Sequence, residues 1–317
     1  MTSPFAAFLD SQGVVVLDGG LATTLESYGF DLNDALWSAR VLLEEPEAVR
    51  RAHTEFLVAG ADCIATVTYQ ATRPGLMGRG LSGGEADEVL RLATRLAIEA
   101  RDEFWSDPAN HAGRLRPLVA GSIGPYGAFL ADGSEYTGDY GLSEDELYDF
   151  HANRWRILAR SGVDLLACET IPSSEEVDAL LRLLAETPDS WAWISFSCRD
   201  GMHLADGTPL LEVARRCAGV ERLAAVGVNC VPPSRVSQLV AILSSAGAAP
   251  IAVYPNSGER YDAVSKTWSP GESPQGLGAG VGAWVAEGAQ VVGGCCRVLP
   301  QEIRSIRAAL PLSSDSG

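Results

Sequence analysis

An alternating α/β chain closed into a (β/α)8 TIM barrel, as a single domain, is the architecture this sequence predicts. Three observations carry that expectation. Eight short segments rich in apolar and β-branched residues are spread along the chain, and helix-patterned stretches fill the intervals between them. The first segment lacks the following Gly-x-Gly-x-x-Gly turn that an open dinucleotide-binding sheet would carry. The length, 317 residues, suits a barrel of about 250 residues with insertions.

In order, the strand segments are Val14–Leu17, Cys63–Tyr69, Leu118–Ile123, Asp164–Cys168, Trp191–Ser197, Ala225–Asn229, Ile251–Tyr254 and Gln290–Val292. The first connection holds a helix over Pro46–Ala59, where Val49, His53, Phe56 and Leu57 recur at helical spacing. Helices over Ala86–Trp105 and Ser143–Ser161 follow. Ser173 or Ser174 is placed to cap a helix to Ala185, with Glu175 and Glu176 in its first turn. Pro209–Cys217, Pro233–Ser245, Gly278–Ala286 and Pro300–Leu310 complete the set, three of them opening with the proline that suits a first helical turn. Asp107–Pro117 and the glycine-rich Ser269–Gly282 read as loops. Residues 1–13 read as an N-terminal extension, 14–310 as the barrel and 311–317 as a frayed tail.

A net charge of −17 argues against nucleic acid or an anionic membrane as partner, since both call for a basic face. Residues 1–13 lack the pattern of a secretory leader, and no apolar run has the length of a membrane span. The seven cysteines are odd in number and follow no disulfide rhythm, which points to the reducing cytoplasm, with metal binding or catalysis as their special use.

Parallel strands deliver their C-terminal ends to one rim, and that rim carries a barrel's chemistry. Segment eight ends in Val291-Val292-Gly293-Gly294-Cys295-Cys296-Arg297, and segment six in Val226-Gly227-Val228-Asn229-Cys230. Alone, Cys295 and Cys296 read equally well as small buried hydrophobes. With Cys230 at a matching strand end, the set becomes three thiols with one position open, the layout of a catalytic zinc. Asp18-Gly19-Gly20, Thr68-Tyr69-Gln70, Gly124-Pro125-Tyr126, Glu169-Thr170, Ser197-Cys198 and Tyr254-Pro255-Asn256 share the same rim. Cys63, Cys168 and Cys217 read as packing residues, and the four histidines show no metal-ligand spacing.

These motifs resemble the zinc-dependent homocysteine S-methyltransferases. The homocysteine-binding domain is visible in Leu17-Asp18-Gly19-Gly20, Gly227-Val228-Asn229-Cys230 and Gly293-Gly294-Cys295-Cys296-Arg297. The branch using S-methylmethionine or S-adenosylmethionine is matched by Leu36-Trp37-Ser38-Ala39, Thr68-Tyr69-Gln70-Ala71-Thr72, Gly124-Pro125-Tyr126-Gly127-Ala128, Leu130–Tyr136, Gly138-Asp139-Tyr140 and Tyr254–Glu259. The likeness runs from about Val14 to Leu310. It implies methyl transfer from a methionine sulfonium to homocysteine, giving methionine. Cys230, Cys295 and Cys296 would hold Zn2+, with the homocysteine sulfur as fourth ligand. A three-thiolate set leaves the centre electron-rich, which keeps a bound sulfur nucleophilic and removes the need for a general base.

In the family the acids matching Asp18 and Glu169 bind the substrate's amino group. Alone, Asp18 reads as a turn aspartate and Glu169 as a rim ion pair. Gly19 and Gly20 are positioned to offer backbone N–H groups to the substrate carboxylate. Trp37, Tyr126, Tyr136 and Tyr140 either face the sulfonium by cation–π contact or pack loops over the barrel mouth. Asn229 either orients Cys230 or bonds a neighbouring strand. Cys198, at a strand end, lies outside the family's motif. A betaine-type methyltransferase and a non-catalytic zinc- or homocysteine-binding protein are the competing readings. The first carries a longer C-terminal arm for oligomers; the second would lack the intact 124–140 stretch. Without such an arm the expected state is a monomer.

Overall fold

The computed structural model describes residues 2–30, 38–248, 250–262, 267–269 and 276–310. Eight parallel strands form the barrel: β1 Val15–Val16, β2 Cys63–Ala65, β3 Leu118–Ile123, β4 Leu165–Ile171, β5 Ala192–Phe196, β6 Leu223–Asn229, β7 Ile251–Tyr254 and β8 Ala289–Val292. Each pairs with its sequence neighbour from β2 to β7, and β8 lies between β7 and β1. The ring is closed between β1 and β2, where Leu17 bridges Cys63 and Asp18 N–H donates to the Cys63 carbonyl at 3.0 Å.

Two strands differ from expectation, each for a local reason. β2 stops at Ala65 because Thr68 N–H turns back onto the Thr66 carbonyl and the chain leaves the sheet. β4 continues through Glu169 to Ile171, with a register shift against β5 between Cys168 and Ile171 and a left-handed Thr170 at φ 62°. That irregularity re-aims the side chains at the strand's end. The helix at Ser174–Ala185 is capped by Ser173, whose hydroxyl accepts from Glu176 N–H, and Pro46–Ala59 and Gly278–Ala286 fall as predicted. Of the loop read over 269–282, residues 270–275 lie outside the described residues and 278–282 are helical; Thr267–Ser269 pairs with Arg260–Asp262 as a hairpin. The 311–317 tail lies outside the described residues.

Residues 1–13 include a helix, Ala6–Gln12, that caps the barrel's N-terminal end and buries Phe8 there. Phe5 and Phe8 are buried with Val15, Leu17, Ala120, Leu165, Ala167, Trp193, Ala252 and Val291, so they stopper the barrel floor. The same floor is tied by Asp62, fully buried, which accepts from Val16 N–H, Gln12 Nε2 and Arg307 Nη1 at 2.6–2.9 Å. The outer helices pack on the other face of the strands through Phe56, Trp155, Leu180 and Leu239.

His53 is wholly buried, and neither ring nitrogen has a hydrogen-bond partner. Burial pushes its pKa down to about 4. The folded state therefore holds it neutral while the unfolded chain takes up a proton below its ordinary value of about 6.5. Stability is full above that value and is lost as pH falls towards 4, by about 3 kcal/mol at about 1.4 kcal/mol per pH unit. His53→Leu is expected to flatten this slope in urea titrations run between pH 6.5 and 4.

Candidate active site

The C-terminal rim opens into a pocket that takes its walls from the exits of β1, β2, β4, β6 and β8. Its floor is the layer of inward-facing side chains on β3, β4, β5 and β7. Ser122 donates to Glu169 Oε1 at 2.7 Å, Trp193 Nε1 donates to the Tyr254 hydroxyl at 3.0 Å, and that hydroxyl also pairs with Ser195.

Cys230, Cys295 and Cys296 converge at this floor, their sulfurs all within 4.8 Å of one another and the Cys230 and Cys296 sulfurs 3.5 Å apart. Cys230 follows β6 with a left-handed backbone, φ 52°, a conformation of local strain held by its surroundings. The loop after β7 stitches the two cysteine segments together. Tyr254 C=O accepts from Cys230 N–H, Pro255 C=O from Cys295 N–H, and Ser257 N–H donates to Cys296 C=O. Arg297, left-handed at φ 66°, ties the end of the segment to Glu259 at 2.8 Å and through its N–H to Thr23 Oγ1 at 3.0 Å.

The cluster fits a tetrahedral metal ion. Zinc–sulfur bonds of about 2.3 Å place sulfurs about 3.8 Å apart, close to the spacing present, and an all-thiol set suits zinc. Hydrogen bonds from Cys295 and Cys296 hold the Cys230 thiol well below the ordinary range, and those same bonds push the other two up. Packed together without a cation, only one of the three readily carries charge; a bound cation is what lets all three ionise.

Asp18 is buried at the end of β1, its Oδ2 accepting from Ala65 N–H at 2.8 Å, so it bonds the adjoining strand's exit rather than its own turn. Burial raises its pKa well above the carboxylate range, and the charge of Glu169 adds to the rise. Glu169 keeps some accessible surface, facing the pocket it lines, and burial pushes its carboxyl up to about 7 against the hydrogen bonds of Ser122 and Tyr254. Gly20 has a different use from the one expected. Gly20 N–H is taken by the Val298 carbonyl at 2.8 Å, so it is not offered to a ligand. A Cβ at Gly19 would stand 2.5 Å from the Val298 carbonyl and one at Gly20 2.8 Å from that of Cys295. Their bareness lets the cysteine loop close against β1.

The aromatic residues divide. The Tyr136 hydroxyl lies 3.6 Å from Cys230 Sγ and the residue lines the pocket. Tyr126 and Tyr140 do not line it. They pack against each other, with Phe129 and Phe150 also against Tyr126, at centroid distances of 4.9–5.6 Å. Trp37 lies outside the described residues. Asn229 reaches Cys295 rather than Cys230, its Nδ2 3.6 Å from that sulfur, while its Oδ1 accepts from Thr170 N–H at 2.7 Å. Cys198 is buried and stands outside the thiol cluster, as do Cys63, Cys168 and Cys217.

Folding makes a histidine–carboxylate pair behind the pocket wall. Buried His151 meets Glu176 at 2.7 Å, and Glu176 also accepts from Tyr126 N–H at 2.6 Å. Arg154 spans from His151 to the Tyr69 and Gly124 carbonyls, fixing the exits of β2 and β3. His151 and Glu176 are on separate helices, Glu144–Ala159 and Ser174–Ala185, so no local pattern announces the pair. Ser122, Trp193 and Glu135 were likewise missed as pocket residues. The readable signal for Ser122 was a polar residue within an otherwise apolar strand.

Among the described residues, every charged side chain lining the pocket is acidic: Asp18, Glu26, Glu135 and Glu169.

The family description "Homocysteine S-methyltransferase" matches residues 15–310. The chain is 48% identical to homocysteine S-methyltransferase YbgG of Bacillus subtilis over 306 residues, covering 96% of this chain and 97% of that one. It is 44% identical to homocysteine S-methyltransferase 1 of Zea mays over 94% of both. The metallated form of the Escherichia coli homocysteine methyltransferase MmuM superposes with a TM-score of 0.87 at 42% identity, over 96% of this chain and 99% of that one.

Proposed function

This chain belongs to the homocysteine S-methyltransferase family, and we propose that it moves a methyl group from the sulfonium of S-methylmethionine, or of S-adenosylmethionine, to homocysteine, forming methionine. The observation that carries this reading is the three-thiol cluster at the floor of a pocket whose charged lining is wholly acidic. On this reading Cys230, Cys295 and Cys296 hold Zn2+. Zinc bound there supplies positive charge that keeps the acceptor sulfur deprotonated at neutral pH, where a free thiol of pKa about 8.5 is mostly protonated.

The remaining work falls to the chain's own groups. Asp18 and Glu169 take the homocysteine ammonium, the cation that offsets the cost of their burial. Tyr136 closes the wall beside Cys230 and limits where the acceptor sulfur can point. The Arg154–His151–Glu176 brace holds the exits of β2 and β3, so the pocket keeps its shape while two reactants are aligned. The acceptor thiol gives its proton to solvent. Its sulfur then forms a bond to the methyl carbon as the carbon–sulfonium bond breaks, and the donor leaves as a neutral thioether. Opposite charges disappear in this step, so a site lined by Leu17, Val67 and Trp193 disfavours the charged reactants more than the transition state. The protein acts as a cytoplasmic monomer on this view.

The test is methionine formation by the purified, zinc-loaded protein from homocysteine with S-methylmethionine, S-adenosylmethionine or betaine. A parallel sample is stripped with chelator. Turnover with a sulfonium that disappears on chelation and returns with zinc is the expected result. Turnover with betaine alone, or none with any donor at full zinc content, overturns the reading.

A further inference from the structure

Glu135 is the acid in this pocket that the reaction so far leaves unused. It sits in a short 3-10 turn, Ser134–Tyr136, in the connection after β3. It is 8% exposed, it lines the pocket, and its Oε2 has no hydrogen-bond partner. The two deeper acids have protein partners, Asp18 in Ala65 N–H and Glu169 in Ser122. A buried carboxylate oxygen with nothing to bond is costly unless a cation or donor meets it.

Its position is imposed by the backbone. The turn is closed by Tyr136 N–H on the Gly133 carbonyl at 3.0 Å and by Ser134 N–H on Asp132 Oδ1 at 2.9 Å. Gly127 packs so tightly beneath it that a Cβ there would come within 2.3 Å of Glu135 N. Gln70 Nε2 donates to the Ala128 carbonyl at 3.0 Å and locks the same segment to the exit of β2. The neighbouring residue, Tyr136, reaches Cys230. Glu135 is therefore a rigidly held acid beside the thiol cluster, coming from the β3 loop, whereas Asp18 and Glu169 approach from β1 and β4.

Building on the methyl-transfer reading, the geometry points to Glu135 as the residue that selects a cationic methyl donor, by setting its carboxylate against the donor's positive centre. A donor must stand in line with the acceptor sulfur, on the side of the thiols where the β3 loop forms the wall. No lysine, arginine or histidine lines the described pocket to answer Glu135, so the positive charge has to arrive with the ligand. The donor loses that charge as the methyl leaves. Glu135 thus contributes to donor binding more than to the chemical step, and removing its charge shows in the donor KM before it shows in kcat.

The experiment compares zinc-loaded wild type with Glu135→Gln and Glu135→Asp. Calorimetry reads the affinity for S-methylmethionine against 2-amino-5-methylhexanoic acid, its neutral isostere with CH in place of the sulfonium, and kinetics read both KM values. Wild type is expected to prefer the sulfonium by about tenfold or more, the scale of one charge-assisted contact. Glu135→Gln is expected to lose that preference and raise the donor KM by a similar factor. Homocysteine KM, zinc content and the circular dichroism spectrum stay unchanged. Glu135→Asp, which keeps the charge, is expected to keep the preference in part. An equal preference in wild type and Glu135→Gln overturns the assignment. So does a rise confined to the homocysteine KM, or an equal loss in the Gln and Asp variants. Absence of a preference in wild type overturns it with no variant needed. Failure of the reaction itself is a separate outcome, because wild type would then form no methionine whatever the calorimetry reads.

Discussion

Cys230→Ala is expected to abolish both metal retention and turnover: bound zinc falls from about one equivalent per chain to near zero, and activity falls by at least about 10³-fold. The reason lies in the cluster's arrangement. The Cys230 sulfur lies 3.5 Å from that of Cys296, and it comes from a different strand end than Cys295 and Cys296. Two adjacent cysteines left alone offer half of a tetrahedron. Alanine inherits the left-handed backbone at φ 52° that Cys230 already bears, with no metal bond to help hold it. A melting curve therefore accompanies the metal assay, so that a folded but metal-free variant is distinguished from an unfolded one. Full zinc content in folded Cys230→Ala would remove this residue from the ligand set.

Glu169→Gln is expected to raise the homocysteine KM by about 10- to 100-fold with zinc content unchanged. Glutamine keeps the shape and a hydrogen bond to Ser122, but gives up the charge that faces the substrate ammonium, a contact of about 1.5–3 kcal/mol. The pH profile adds a second check. The Glu169 carboxyl sits at about 7 in the unliganded pocket, and only its deprotonated form holds a cation. Homocysteine affinity in the wild type should therefore weaken as pH falls through 7, and this component of the slope should be missing from the variant. Unchanged KM and kcat would show that the acid serves the barrel and not the substrate.

The architecture was legible because each barrel strand carries its own apolar segment and each long connection its own helical period. Leu118–Ile123 and Ile251–Tyr254 fall where β-branched content placed them. The thiol triad was legible for a related reason: parallel topology turns distant strand ends into neighbours, so Cys230 and Cys295-Cys296 meet without any local contact. What escaped was set by tertiary packing. The bulge that turns Glu169 inward depends on Asn229 binding Thr170 across two strands. Gly20 looked like a ligand-facing N–H donor because nothing local reveals that the Val298 carbonyl takes its N–H. Glu135 went unmarked within the Leu130–Tyr136 motif, since charge in a turn ordinarily means solvent.

The aromatic stopper formed by Phe5 and Phe8 makes the catalytic chamber a cul-de-sac. Among the described residues, traffic then passes through the C-terminal mouth, and occupants must queue. On the proposed methyl-transfer reading, the amino acid acceptor held by Asp18 and Glu169 would enter ahead of the methyl donor, and its methylated product would leave after the spent donor. A chamber of this kind works by ordered filling and last-in, first-out emptying. At high donor concentration it would be blocked by a donor that arrives before its acceptor.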